Sequence, residues 1–150
     1  MARIAFIGLG NMGGPMSANL VKAGHAVRGY DIVPEKLERA AAKGVEAAAS
    51  NPDAVENADM VFTMLPTGKE VRDVLVDVDR VVDLVGPDTV VVDSSTTDLG
   101  ATEYIHTEAA KRGIALIDSP VSGGMAGAQA GTLTFMGGGD TAALDRAEPV

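Results

Sequence analysis

The chain has 150 residues, of which 46% are hydrophobic and 22% are charged. This composition indicates one globular domain and excludes a disordered chain. The net charge of −9 argues against nucleic acid and anionic membrane surfaces as partners, because both are themselves negatively charged. The absence of cysteine excludes disulfide bonds and thiol chemistry, and the two histidines have no second ligand at metal spacing, so we expect no metal site.

No apolar run approaches the roughly 20 residues that a transmembrane helix needs. The N-terminus also lacks the charged and apolar regions of a signal peptide, because the first predicted strand begins almost at once. We therefore expect a cytoplasmic protein, or a protein of the mitochondrial matrix if the source is eukaryotic.

A glycine-rich stretch separates the first predicted strand, residues 4–7, from a predicted helix over residues 12–22. Its glycines have the spacing G-x-G-x-x-G, which between a strand and a helix predicts a dinucleotide site. In that interpretation Gly8 permits the tight turn, Gly10 lets the backbone approach a pyrophosphate, and Gly13 lets the helix pack closely on the sheet. The alternative is an ordinary helix-capping turn.

A second predicted strand, residues 25–31, ends in Asp31, which lies 18 residues after Gly13. An acid at this place can accept hydrogen bonds from the adenosine ribose hydroxyls and would repel a 2′-phosphate. No arginine follows it, since the next residues are Ile32, Val33 and Pro34. The sequence therefore predicts NAD as the cofactor, the alternative being that Asp31 is only a solvated strand end.

The remaining sequence alternates between helical and strand patterns. Helices are predicted over residues 35–43, 51–57, 69–85, 97–112 and 140–148, and strands over residues 45–48, 59–65, 89–93, 114–118 and 132–136, with a turn at 137–139. Strand–helix alternation predicts an α/β fold of the Rossmann type, a doubly wound and mainly parallel sheet with helices on both faces. The nearly continuous apolar strands fit a sheet that is covered on both faces.

Ligands of such sheets bind beyond the carboxyl ends of the strands. Two further strand ends carry small polar residues, at 94–97 and 119–124. The serines and threonines of the first are candidates for cofactor contact or for helix capping. The second contains Ser122, Gly123 and Gly124, whose N–H groups and hydroxyl could form an anion-binding nest for a carboxylate, or could belong to a glycine-rich surface loop.

Four motifs occur in chain order: Phe6-Ile7-Gly8-Leu9-Gly10-Asn11-Met12-Gly13, Thr63-Met64-Leu65-Pro66, Asp93-Ser94-Ser95-Thr96, and Asp118-Ser119-Pro120-Val121-Ser122-Gly123-Gly124 with residues 131–136. Together they resemble the 3-hydroxyisobutyrate dehydrogenase family of β-hydroxyacid dehydrogenases, over essentially the whole chain. Two small departures are Ser119, where alanine is usual, and Gly137, where valine is common.

The resemblance implies a role for each residue that matches a family motif. The implied cofactor residues are Gly8, Leu9, Gly10, Asn11, Met12 and Gly13 at the pyrophosphate, Asp31 at the adenosine ribose, Leu65, Pro66 and Glu70 along the groove, and Thr96 near the nicotinamide. The implied ligands of the substrate carboxylate are Ser122, Gly123 and Gly124. The implied reaction converts 3-hydroxyisobutyrate and NAD to methylmalonate semialdehyde and NADH, a step of valine degradation.

Family members continue into a helical second domain with a Gly-x-x-Gly-x-Gly-x-x-x-Lys-x-x-x-Asn stretch, which supplies the general acid/base and a substrate-orienting residue. None of the chain's lysines stands in this context. We therefore expect residues 1–150 to be the NAD-binding domain, without a catalytic residue of its own and inactive without the second domain. The resemblance also implies a homo-oligomer at full length.

Two alternatives to this function stay open. A tartronate semialdehyde reductase or a related β-hydroxyacid dehydrogenase would have the same type of loop at Ser122-Gly123-Gly124. A protein of another class, a module that senses dinucleotides without chemistry, would have the glycine motif and no use for a substrate loop.

Overall fold

The apolar runs form the strands of a central sheet in the computed structural model, which describes residues 1–150. The strands are β1 (Arg3–Ile7), β2 (Ala26–Tyr30), β3 (Glu46–Ala47), β4 (Met60–Thr63), β5 (Val90–Asp93), β6 (Ala115–Asp118), β7 (Val121–Ser122), β8 (Thr134–Phe135) and β9 (Gly138–Gly139). The α-helices are α1 (Gly13–Lys22), α2 (Pro34–Ala41), α3 (Asn51–Val55), α4 (Gly68–Arg72), α5 (Val81–Leu84), α6 (Leu99–Lys111), α7 (Gly124–Ala130) and α8 (Thr141–Ala147). None of these helices has the length and hydropathy needed to cross a lipid bilayer.

Seven strands form one sheet in the order β3-β2-β1-β4-β5-β6-β9, and β7 and β8 pair separately. The first six are parallel to one another, and β9 is antiparallel to β6. The order 3-2-1-4-5-6 is that of the Rossmann fold, so the predicted fold class is confirmed. Its reversal point lies between β1 and β4, where the crevice for a dinucleotide is expected.

The core has two layers, one on each face of the sheet. Val61, Leu75 and Ile105 belong to the first layer, under the helices that follow β4 and β5. Phe6 and Phe62 belong to the second, where their rings stack with centroids 5.8 Å apart. Because the strands contribute buried side chains to both faces, β1, β4, β5 and β6 are apolar except for one residue at one end of each strand.

The single helix predicted over residues 69–85 is wrong. Helix α4 continues into a π-helical turn, Asp73–Asp77, and the chain then breaks before α5. The break occurs because the Asp73 carbonyl accepts hydrogen bonds from the N–H groups of both Val78 and Asp79, and Arg80 then takes a left-handed conformation with φ of 54°. As a result Val78, which the helical spacing placed in the core, is 67% exposed.

The end of the chain also differs from expectation. Residues 124–130 form α7, which the sequence analysis did not predict because two of its residues and both of its flanking residues are glycines, which weaken a helical pattern. The strand expected over 132–136 is reduced to β8, and the turn expected at 137–139 contains the edge strand β9. Asp140 does cap α8, accepting from the N–H of Ala143 at 3.1 Å.

Candidate functional site

The glycine-rich loop, residues 8–13, leaves β1 and enters α1 at the reversal point of the sheet. A side chain at Gly8 would place its Cβ 2.2 Å from the Met64 carbonyl oxygen, and Gly8 also has φ of +93°. At Gly13 a Cβ would lie 1.8 Å from the Gly8 carbonyl oxygen. Only glycine fits at these two positions, so the loop holds β1, β4 and α1 in their close arrangement.

The middle of the loop faces open space. A Cβ at Gly10 would meet only the Lys36 Nζ, at 3.8 Å, and Asn11 beside it is exposed. Met12 precedes α1 and makes no side-chain capping bond to the free N–H groups of the first turn. In the first turn itself Gly14 and Met16 donate to the Gly10 and Met12 carbonyls, whereas the N–H groups of residues 10–13 have no backbone acceptor. These four N–H groups are therefore available to an anion, which a helix N-terminus and its dipole favour.

Asp31 follows β2 and is bonded to the glycine-rich loop. Its Oδ2 accepts a hydrogen bond from the Leu9 N–H at 2.8 Å, and its Oδ1 accepts from the Val33 N–H at 2.8 Å. Each carboxylate oxygen keeps a lone pair, and the half-buried residue stays accessible to a ligand. The two signals that the sequence placed 18 residues apart thus meet in one site.

A group of cations beside the loop was missed by the sequence analysis. Lys36, Arg39 and Lys43 line a cavity of about 130 Å³ together with Gly10 and Asn11. None of the three forms an ion pair with an acid, whereas most other cations of this acidic chain do. Their spacing of three and four residues could have predicted a common helical face, but the sequence does not show that this face turns toward the loop.

The predicted groove residues after β4 lie on the other side of the loop. The Leu65 side chain comes within 3.1 Å of the Cβ position at Gly8, and Pro66 is exposed. Glu70 is half-buried and forms a capping box at the start of α4, where its Oε2 accepts from the Thr67 N–H at 3.0 Å. The contact that the structure shows for Glu70 is therefore helix capping.

The segment after β5 is held by buried hydrogen bonds. Asp93 Oδ1 accepts from the Thr63 hydroxyl at 2.8 Å and from the Ser95 N–H at 3.0 Å. Burial raises the pKa of the Asp93 carboxyl, an effect that its hydrogen bonds from Ser95 and Thr63 oppose. Thr96 is exposed at the end of this segment. Capping by residues 94–97 is wrong, because Asp98 caps α6 through a 2.9 Å bond from the Ala101 N–H.

The candidate substrate loop, Ser122 to Gly124, is exposed where β7 turns into α7. Helix α7 packs on α1, with the Asn19 side-chain amide donating to the Ala128 carbonyl at 2.7 Å. Met125 and Gln129 of α7 also line the cavity that contains Gly10. The fold therefore brings the candidate substrate loop and the glycine-rich loop to neighbouring helices at one end of the molecule.

The comparisons with known proteins agree with this geometry. Residues 3–150 match the family described as the NAD binding domain of 6-phosphogluconate dehydrogenase. The chain belongs to this NAD-binding family. It is 51% identical over all of its residues to a probable 3-hydroxyisobutyrate dehydrogenase of Mycobacterium tuberculosis, and 47% identical to an NAD-dependent L-serine dehydrogenase of Pseudomonas aeruginosa. The predicted resemblance and the predicted NAD cofactor are both confirmed.

A solved structure supports the fold in the same way. The M. tuberculosis 3-hydroxyisobutyrate dehydrogenase, determined with L-serine, superposes with a TM-score of 0.94 over 99% of this chain and 50% of that one. The chain likewise spans about half the length of the two relatives, 50% in each case. This chain therefore corresponds to one half of each of these dehydrogenases, the half that matches the NAD-binding family.

Proposed function

We propose that this chain is the dinucleotide-binding part of an NAD-dependent β-hydroxyacid dehydrogenase. The observation that carries the proposal is the bond between Asp31 and the Leu9 N–H, at 2.8 Å, which joins the acid to the glycine-rich loop at the reversal point of the sheet. A dinucleotide needs both features within one crevice, the loop for its pyrophosphate and the acid for its ribose.

We assign each predicted site residue a role in this crevice. Gly8 to Gly13 surround the pyrophosphate, with Gly10, Asn11 and Met12 presenting N–H groups to it, and the Lys36 ammonium adds positive charge beside Gly10. Asp31 accepts the ribose hydroxyls. Leu65, Pro66 and Glu70 line the groove, and Thr96 lies toward the nicotinamide. The cofactor supplies the hydride chemistry, while the chain supplies binding and orientation.

The substrate in this proposal is a small 3-hydroxy acid, with 3-hydroxyisobutyrate first and L-serine second. Both carry a carboxylate, and Ser122, Gly123 and Gly124 are the residues we assign to it, through exposed N–H groups and a hydroxyl. The names of the two relatives support this pair of candidates. Oxidation would remove a hydride from the carbon that bears the hydroxyl and a proton from that hydroxyl.

We further propose that the proton-accepting lysine lies outside residues 1–150, in the part that the relatives have in addition. Residues 1–150 would then bind NADH and leave the hydroxyl proton without an acceptor. General acid–base catalysis contributes typically ~10²–10⁴-fold to the rate. Turnover by residues 1–150 alone should therefore be lower by at least that factor than turnover by a protein that also has the lysine.

A chimera tests this proposal. Residues 1–150 are joined to the second half of the M. tuberculosis relative, and NADH formation is measured with 3-hydroxyisobutyrate and with L-serine, next to the unaltered chain. We expect both proteins to bind NADH and only the chimera to turn over. Near-normal turnover by residues 1–150 would contradict the assignment of the lysine. A chimera that binds NADH and oxidises neither acid would favour the dinucleotide-sensing module.

A further inference from the structure

A buried carboxylate connects two strand ends that flank the proposed groove. Asp93 is the last residue of β5 and is only 4% exposed. In the sheet it stands in register between Thr63 of β4 and Asp118 of β6. Its Oδ1 accepts from the Thr63 hydroxyl at 2.8 Å and from the Ser95 N–H at 3.0 Å, so one oxygen ties the end of β4 to the segment after β5.

The same connection continues to the groove itself. The Ser95 hydroxyl oxygen accepts from the Leu65 N–H at 2.8 Å. Asp93 therefore fixes Ser95, and Ser95 fixes the backbone at Leu65, where the chain turns from β4 toward Pro66. Thr96 follows Ser95 directly, so the two groove segments share one buried anchor.

A carboxylate is a costly choice for this place. Burial raises the pKa of the Asp93 carboxyl, and the negative charge of Asp118 on the neighbouring strand raises it further. A buried charged group without a cationic partner lowers the stability of a fold, and valine, which occupies the three preceding positions of β5, would avoid that loss. Stability alone does not explain a polar side chain at this position, whereas a need for its acceptor oxygen does.

We propose that Asp93 is a positioning residue of the cofactor groove, whose Oδ1 holds the segments after β4 and β5 at the spacing that lets Leu65, Pro66 and Thr96 contact one dinucleotide. This inference rests on the proposed function for the role of those three residues. The dinucleotide need not touch Asp93 itself, because the effect is transmitted through Ser95.

The experiment is an NADH titration, by fluorescence, of the unaltered chain and four variants, with the unfolding free energy of each measured in parallel. Asp93→Val removes the acceptor, and Asp93→Asn keeps an oxygen that can accept from both donors. Thr63→Val removes one donor. Thr89→Val is the matched control. Thr89 is a buried threonine that directly precedes β5, at the end of that strand opposite to Asp93, and its hydroxyl donates to the Ala58 carbonyl at 3.0 Å.

We expect Asp93→Val to weaken NADH binding by about 25-fold and Thr63→Val by about fivefold, on the scale of two lost hydrogen bonds and one. Asp93→Asn and Thr89→Val should stay within about threefold of the unaltered chain. A merely structural role of Asp93 would instead make NADH affinity follow unfolding free energy across all variants, Thr89→Val included. If Asp93→Val does not fold, the comparison of Thr63→Val with Thr89→Val decides.

Equal affinities for Thr63→Val and Thr89→Val, or for Asp93→Val and the unaltered chain, would overturn this inference and leave the proposed function intact. An unaltered chain that binds no NADH would overturn both. An Asp93→Asn variant as weak as Asp93→Val would show that the negative charge is needed, and would also overturn the assignment of positioning to the Oδ1 acceptor.

Discussion

Asp31 should control the choice between NADH and NADPH, and the structure allows the size of this effect to be worked out. A 2′-phosphate on the ribose would bring like charge next to the Asp31 carboxylate. Two unit charges about 5 Å apart repel by about 3 kcal/mol at an effective dielectric constant near 20 and by about 1 kcal/mol in bulk water. Because Asp31 is half-buried, the repulsion should lie between these limits, a preference for NADH of about 5- to 150-fold.

The perturbation is Asp31→Asn, which removes the charge and nearly keeps the shape. Its amide can accept from only one of the two N–H groups, of Leu9 and Val33, that now donate to Asp31. NADH binding should therefore weaken as well, by the loss of about one hydrogen bond. The ratio of the two dissociation constants cancels this common loss, so the ratio is the quantity that reports the charge.

Titration calorimetry with NADH and NADPH measures this ratio for the unaltered chain and for Asp31→Asn. We expect the preference for NADH to shrink by at least fivefold in the variant. Asp59→Asn is the control, because it changes the net charge equally but removes the ion pair with Arg3 at the opposite edge of the sheet. An unchanged ratio in Asp31→Asn would refute the reasoning and make Asp31 only an anchor of the loop.

Three further outcomes are expected. Gly13→Ala should lower the unfolding free energy by about 1–3 kcal/mol or more through overpacking, whereas Gly10→Ala should leave it unchanged within about 0.5 kcal/mol and weaken NADH binding. The unfolding free energy of the unaltered chain should fall relative to that of Asp93→Asn as the pH rises above the ordinary pKa of an aspartic acid, and denaturant titrations at several pH values measure this difference. The reason is that an acid whose pKa is raised by folding stabilises the fold while it is protonated, and this contribution is lost as the pH rises through the folded-state pKa. The chain should self-associate in sedimentation experiments, since Phe135 and Met136 are 49% and 52% exposed, and a monomer at high concentration would contradict this.

The parallel sheet could be predicted because its strands are short apolar runs separated by helix-forming segments, a pattern typical of parallel α/β sheets. The segment over residues 69–85 could not, because its apolar spacing is that of one helix. The π-helical turn depends on a carbonyl of Asp73 that takes two later N–H donors, a competition that no spacing reveals. Helix α7 was missed since its stability comes from packing on α1 and not from its own glycine-rich sequence.

The candidate site shows the same limit. The glycine-rich loop and Asp31 could be predicted, because G-x-G-x-x-G and an acid at the next strand end form a local pattern with a known spacing. Lys36 could not be assigned, since its position depends on the angle between α2 and α1. The bond from the Leu65 N–H to Ser95 joins residues 30 apart in sequence and exists only once β4 and β5 are paired.

The central position of β1 has a consequence for how the chain is made. Its two neighbours are β2 and β4, and Ile4 pairs with Met60, 56 residues later. At a synthesis rate of about 5–20 residues per second, β4 is synthesised about 3–11 seconds after β1, and until then β1 lacks its neighbour on that side. During that interval the unpaired strand exposes its backbone and its apolar side chains. The newly made chain therefore exposes a site for wrong strand pairing over an interval that the central, fully covered position of β1 in the finished fold does not suggest.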